Sequence, residues 1–219
     1  MTTGFSQQIL SGGGLRKSAE LVHGTGSNLS SVKVDINNAT GDRSNLILIK
    51  GMFAIEASSS NGGTVYGQFL DSTNTVINLR MHSRSTRGEY GYNYYTGSNY
   101  NAHSFSKFTQ FDLLGDEKTT DNSPTSVTGR RITFVMIGDI SQVTGAQPFK
   151  SPFFKWDAVL NDYNNDFRRV AGMTYLMDQN LANKIPTQLQ FIATDDSGSS
   201  EHASFIKYCH LRVYTLGAA

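Results

Sequence analysis

Residues 131–136, RITFVM, alternate apolar with mostly polar side chains, and Ile132, Phe134 and Met136 share one phase. Successive residues of a β-strand point to opposite faces of the sheet, so this pattern is typical of a strand with one buried face. No long segment follows the helical period of about 3.6 residues. The two-residue period recurs in residues 32–36, 188–191 and 209–214. We therefore predict an all-β chain of antiparallel strands.

Clusters of Gly, Asn, Asp and Ser separate the alternating runs, as turns do. They fall at residues 38–42, 58–63, 71–74, 121–129 and 195–200. This spacing predicts about ten to twelve strands in a β-sandwich. The length of 219 residues fits one such domain, which we place at residues 16–219. Residues 1–15 form a predicted flexible arm, which either frays or docks on a neighbouring subunit.

The composition excludes several classes of protein. Lys and Arg number 19 against 18 Asp and Glu, so the basic excess of a nucleic-acid binder is missing. Cys209 is the single cysteine, which rules out an intrachain disulfide, and its apolar strand neighbours predict an inert core thiol. We expect no membrane insertion, and the N-terminus does not resemble a signal peptide.

Motifs for enzyme chemistry are missing from the sequence. It has no nucleophile elbow, no zinc-protease helix motif and no phosphate-binding glycine loop. The five histidines share no metal-ligand spacing. We therefore expect no catalytic residue, metal or cofactor. Asp157, Asp162 and Asp166 lie near aromatic residues and could imitate a glycosidase carboxylate pair, although Asn and Asp are also typical of turns.

A tyrosine-rich segment is the main candidate for ligand binding. Tyrosine among Gly, Ser and Asn is typical of recognition loops, and aromatic faces stack on sugars. A basic run precedes the segment, so an acidic or glycan surface is a candidate ligand. The alternatives are a hairpin that packs in a subunit contact, or simple exposure to solvent. The candidate residues are Tyr90, Tyr92, Tyr94, Tyr95 and Tyr100, with Arg84 and Arg87.

Three short stretches are apolar in both strand phases: residues 46–49, 52–55 and 149–156. A strand that is apolar on both faces needs a second cover, which is either a larger core or another subunit. If the cover is a subunit, the candidate interface residues are Leu46, Leu48, Met52, Phe53, Phe153 and Trp156.

Four segments resemble a known module. They are residues 131–139 (RITFVMIGD), 149–151 (FKS), 185–191 (IPTQLQF) and 210–217 (HLRVYTLG). Together they look like a β-sandwich module of tailed-phage virion proteins, particularly those of marine and cyanobacterial phages, where it occurs in tail-fibre, capsid-decoration and head-fibre proteins. The module ends in a Val/Leu-Tyr-Gly-Leu-like strand, from which Thr215 departs. The resemblance implies a jelly-roll-like, commonly trimeric sandwich without catalytic residues.

These observations favour a non-enzymatic virion protein that is made in the host cytoplasm. It would be a capsid decoration (cement) subunit or a small fibre or knob subunit, and its partners would be its own copies, as a homotrimer, and other virion proteins. A carbohydrate-binding or host-receptor-binding module is the alternative, with a host-surface glycan as ligand. A glycan depolymerase is the third hypothesis.

Overall fold

The computed structural model describes residues 15–24, 27–36, 46–57, 63–77, 79–88, 100–101, 111–113, 130–139, 153–161, 167–176, 186–195 and 204–216. All regular structure within these ranges is β-strand. Every strand pairing among the described residues is antiparallel, and these strands form two sheets. The prediction of an all-β, antiparallel fold is confirmed for the described residues. The predicted N-terminal arm lies outside the described residues, apart from its last residue, Leu15, which begins the first strand.

The strands are named in chain order. They are β1 (Leu15–His23), β2 (Ser31–Asp35), β3 (Leu46–Ala57), β4 (Gly63–Leu70), β5 (Leu79–Gly88), β6 (Tyr100–Asn101), β7 (Phe111–Asp112), β8 (Arg130–Asp139), β9 (Phe153–Asn161), β10 (Phe167–Leu176), β11 (Gln188–Asp195) and β12 (Ser204–Leu216).

The order of strands in the two sheets reveals nested pairing. In the part of the chain that the structure describes, the larger sheet has eight strands in the order β1-β12-β3-β8-β9-β10-β5-β6, and the smaller has four in the order β2-β11-β4-β7. Outer pairs therefore enclose inner ones along the chain: β1 pairs with β12, β2 with β11, β3 with β8 and β4 with β7. The chain changes sheet between successive members of this set of eight strands, except between β4 and β7, which pair with each other in the smaller sheet. The remaining strands, β9, β10, β5 and β6, extend the larger sheet beyond β8.

One hydrophobic core joins the two sheets. Where the structure describes the side chains, alternate residues of most strands point inward, and nearly all of the buried apolar ones belong to one cluster drawn from both sheets. Aromatic rings bridge the sheets: the centroids of Phe53 and Phe191 lie 5.0 Å apart, and those of Phe69 and Phe154 lie 4.2 Å apart. Burying such large side chains is the main favourable contribution to folding here.

Four inward-facing aromatic rings each lie on a glycine of the neighbouring strand. In every case the glycine is the direct register partner of the aromatic residue. The pairs are Gly51 with Phe134, Gly67 with Phe111, Gly138 with Phe154, and Gly172 with Trp156. A glycine weakens a strand by itself, but here the missing side chain leaves the space that a large ring occupies.

The pair of Gly172 and Trp156 shows how tight this packing is. A Cβ atom on Gly172 would lie 2.1 Å from Cζ2 of Trp156, well inside van der Waals contact. Trp156 cannot move away freely, because it is 1% exposed and its ring centroid lies 4.9 Å from that of Phe111 on the opposite sheet. Any side chain at position 172 therefore displaces the largest ring of the core.

The change Gly172→Ala should destabilise the protein by about 1–3 kcal/mol, the usual range for inserting a methyl group into a filled core. The matched control is Gly24→Ala, because a Cβ at Gly24 meets no described atom within 4 Å. The control should shift stability by no more than about 0.5 kcal/mol. Urea unfolding measures both. Equal losses from the two changes would contradict the packing described.

The sequence patterns describe most but not all of this fold. The expected alternation in residues 131–136 is confirmed, since Ile132, Phe134 and Met136 are buried. The turn expected at residues 71–74 is present, where the Asn74 amide donates to the Asp71 carbonyl at 3.0 Å. The pattern did not single out β1, because this edge strand is largely exposed on both faces and carries no clear apolar phase.

Candidate functional site

The outer face of the eight-stranded sheet carries exposed apolar side chains. On β8 and β9 the outward phase contains Val135 (41% exposed), Ile137 (47%) and Val159 (37%). Leu48 and Met52, half-buried on the adjacent strand β3, extend the same surface. We call these five residues the outer patch. Solvent-facing β-branched residues that are grouped together on one sheet face indicate an interaction surface.

The strand register places charged residues on both sides of the outer patch. Val135 lies between Lys50 on β3 and Asp157 on β9. Two residues before Val135 on β8, Thr133 lies between Met52 on β3 and Val159 on β9. Two residues after Val135, Ile137 lies between Leu48 on β3 and Lys155 on β9. The patch therefore has an apolar centre on β8, with a cation on one flank and an anion on the other at the level of Val135.

A cluster of charges joins the edge strand β1 to β12 on the same face. The carboxylate of Glu20 accepts a hydrogen bond from Arg212 Nε at 3.0 Å and contacts His210 Nε2 at 2.8 Å. Lys17 Nζ donates to its other oxygen. These contacts hold β1 to β12, its neighbour in the sheet.

The three contacts lower the pKa of Glu20 from 4.5 to about 2, with the hydrogen bond from Lys17 as the largest cause, followed by those from His210 and Arg212. In the unfolded chain the pKa returns to its ordinary value. The ionised carboxylate therefore contributes stability above about pH 4.5, and this contribution is lost as the pH falls from about 4.5 to about 2.

The change Glu20→Gln should lower the melting temperature at pH 7, because the ion pairs are lost. The difference from the wild type should shrink as the pH falls from about 4.5 towards about 2, where the wild-type carboxylate also becomes protonated. Thermal unfolding followed by circular dichroism at several pH values measures this. High salt at pH 7 is the control and should also reduce the difference, since the groups are exposed. A difference that is constant with pH would contradict the assignment.

An ion pair between Arg169 and Asp157 lies on the other side of the outer patch from the Glu20 cluster. Arg169 on β10 donates from Nε to both oxygens of Asp157, at 3.0 Å each, and its Nη2 contacts Oδ2. This contact raises the pKa of the Arg169 guanidinium. Asp157 is thus a structural ion-pair partner on an open sheet face. Asp162 and Asp166 are the other two carboxylates that could imitate a glycosidase pair, and both lie outside the described residues.

The predicted interface residues divide between the two faces of the sheet. Phe53 is 0% exposed and Trp156 is 1% exposed, so both belong to the core of their own chain and are not available to a neighbouring subunit. Leu46, Leu48 and Met52 are half-buried on the outer side. The side chain of Phe153 lies outside the described residues. The exposed members of the outer patch, Val135, Ile137 and Val159, were not predicted, although their apolar character in the outward phase was a readable signal.

The predicted ligand-binding residues are placed only in part. Arg84 on β5 is the register partner of Tyr100 on β6, so the sheet brings these two positions together. Arg87 also lies on β5 and pairs with Arg168 of β10. The other four tyrosines, Tyr90, Tyr92, Tyr94 and Tyr95, lie outside the described residues, so their role stays a prediction.

Cys209 is fully buried, which confirms the prediction that it lies in the core, and this burial raises the pKa of the thiol. Among the described residues, no three His, Cys, Asp or Glu side chains come together in a metal-binding group. The same part of the chain holds no helix with the length and hydrophobicity needed to cross a membrane.

Comparison with known proteins does not assign the chain to a family. No protein-family model matches the sequence, and no curated protein matches it either.

Proposed function

We propose that this chain is a non-enzymatic structural subunit of a tailed-phage virion, either a capsid decoration (cement) protein or a small fibre or knob component. It works in the virion by assembling with its own copies, as a trimer in keeping with the module it resembles, and with other virion proteins. Its mechanism is mechanical: it buries surface across neighbouring subunits, and about 1,000 Å² is needed for a specific contact.

The nested strand pairing supports a jelly-roll β-sandwich as the finer description of the fold. A jelly roll has eight strands in two sheets, and its chain pairs first with last, second with second-last, and so on inward. The pairs β1–β12, β2–β11, β3–β8 and β4–β7 follow this rule. The two sheets that result are β1-β12-β3-β8 and β2-β11-β4-β7. Viral capsid and lectin domains share this architecture.

The observation that carries the proposal is the outer patch. Val135 and Ile137 stand in the middle of a wide sheet face and are close to half exposed. In a free monomer such side chains stay exposed to water, so they contribute little to stability and promote aggregation. In a subunit that is buried against neighbours they contribute about 25 cal/mol per Å² of apolar surface removed from water.

The location of the protein in purified particles tests this proposal. Mass spectrometry of particles from the phage that encodes the chain should find it in stoichiometric amounts. Selective stripping of the protein should leave particles that burst on osmotic shock, if it is cement, or that fail to adsorb to host cells, if it is a fibre component. Its absence from washed particles would contradict the proposal.

A second candidate function is recognition of a host-surface glycan, and the register pairing of Arg84 with Tyr100 favours it. Arginine residues recognise carboxylates through paired hydrogen bonds, so an arginine position next to a tyrosine position suits a glycan that contains acidic sugars. Under this alternative, the double change Tyr92→Ala and Tyr94→Ala should abolish binding to a glycan array. Tyr66→Ala, on the four-stranded sheet, is the matched control and should retain binding. Unchanged binding by the double variant would remove this candidate.

A further inference from the structure

We propose that Arg212 on β12 and Lys50 on β3 form a binding site for the carboxylate groups of an acidic polysaccharide. The site lies on the outer face of the eight-stranded sheet, towards the end of the strand order that β1 occupies. The tyrosine-rich candidate of the second function adjoins β5 and β6, at the other end. This site is therefore additional to the proposed function, and it does not require the virion role.

The two cations of the site stand directly opposite each other. Arg212 and Lys50 are register partners on adjacent strands, and both side chains are exposed in the outward phase. The Cβ atoms of such a pair lie about 4.5–5.5 Å apart, and like charges at this separation destabilise a sheet. Residues that break a local rule of this kind are expected at functional sites. An anion bound between the two cations would replace their repulsion by two attractive contacts.

Both cations have donors to offer to a ligand. No carboxylate of the described residues forms an ion pair with Lys50. Arg212 donates from Nε to Glu20, and its side chain remains 47% exposed. A guanidinium carries five N–H donors in a fixed fork, so Arg212 can hold Glu20 and still donate to a second carboxylate.

The neighbours of the two cations suit a sugar acid. The ionised carboxylate of Glu20 has about four acceptor positions. Three of them take the donors Lys17, His210 and Arg212, which leaves one for a hydroxyl group. Tyr214 lies two residues from Arg212 in the same phase, half-buried, and adds an apolar ring with a hydroxyl group. A sugar acid carries hydroxyl donors and an apolar ring face as well as its carboxylate, so it matches this mixed set.

The outer face as a whole is basic. Among the register-paired residues of the eight-stranded sheet whose side chains the structure describes, six cations and three carboxylates are in the outward phase. On the smaller sheet the same phase carries one of each, Lys33 and Asp35. A polyanion is therefore attracted to the larger sheet. The six cations are Lys17, Lys50, Arg131, Lys155, Arg169 and Arg212, and the three carboxylates are Glu20, Asp139 and Asp157.

The carboxylates among these cations favour a polysaccharide over a nucleic acid. Duplex DNA carries one negative charge per about 1.7 Å of its axis, so some of its phosphates would lie against Glu20 or Asp157. In an acidic polysaccharide, uncharged ring atoms separate the carboxylates. Its charges can therefore lie on the cations while its hydroxyl groups meet the acidic side chains.

Binding of the full chain to immobilised polygalacturonate, measured by biolayer interferometry at about 0.1 M ionic strength, tests the site. The wild type should bind polygalacturonate and should not bind dextran, which is neutral. Lys50→Gln should weaken binding by about tenfold or more, because it removes a hydrogen bond between charged groups. Lys155→Gln is the matched control: it removes the same charge from the same face, but its register partners Ile137 and Met173 are uncharged. The control should change the affinity by less than about twofold, because exposed charges this far apart are screened.

Thermal unfolding separates a binding role of Lys50 from a structural one. Lys50→Gln removes the like-charge pair, so its melting temperature should equal or exceed that of the wild type. A variant that loses binding while it keeps its stability identifies Lys50 as a ligand contact. A lower melting temperature would show that Lys50 stabilises the sheet, which would contradict the role proposed for it.

A wild type that does not bind polygalacturonate would overturn the proposal, and so would equal losses from Lys50→Gln and Lys155→Gln. Tighter binding to duplex DNA or to polyglutamate than to polygalacturonate, with the same dependence on Lys50, would overturn the polysaccharide in favour of a nucleic acid or an acidic protein. These results are independent of the proposed function. A protein that binds polygalacturonate but is absent from particles would refute the virion role alone, and a virion protein that does not bind it would refute this site alone.

Discussion

Four aromatic rings in the core occupy the spaces left by four glycines, and the rest of the structure depends on this match. Each ring lies on the glycine that is its register partner in the next strand, so a shift of one residue between the strands would place the ring against a side chain. Since a one-residue shift would also turn every side chain to the other face, these pairs and the apolar alternation specify the same register. Ring contacts such as Phe111 with Trp156 then hold the two sheets together.

The same register determines the surface. Because inward and outward residues alternate strictly along β8, burial of Phe134 and Met136 forces Val135 and Ile137 to face outward. The pairing of β8 with β3 and β9 then sets Lys50 and Asp157 on either side of them. The packing of the core and the pattern of the outer face are thus two consequences of one strand alignment. A change that shifted the alignment would destroy the core and the outer patch together.

The sequence predicts the strands well where only one phase is apolar, as in residues 131–136 and 209–214. Where both phases are apolar, the sequence leaves open whether the cover is a larger core or another subunit. Phe53 and Trp156 were candidates for a subunit contact, but they lie in the core, and periodicity cannot separate the faces of such strands. The glycine–aromatic pairs could not be predicted either, since each joins residues such as Gly51 and Phe134 that are distant in the chain. Contacts of this kind depend on strand order, which local pattern does not contain.

Nuclear Overhauser effects from glycine α-protons test the central claim most directly. In protein labelled with ¹³C only in glycine, we expect cross-peaks between α-protons and ring protons for four pairs: Gly51 with Phe134, Gly67 with Phe111, Gly138 with Phe154, and Gly172 with Trp156. Gly24, where an added Cβ would meet no described atom within 4 Å apart from its chain neighbours, should show no cross-peak to a Phe or Trp ring. Absence of the four cross-peaks, or their appearance with other rings, would contradict the strand register and the core built on it.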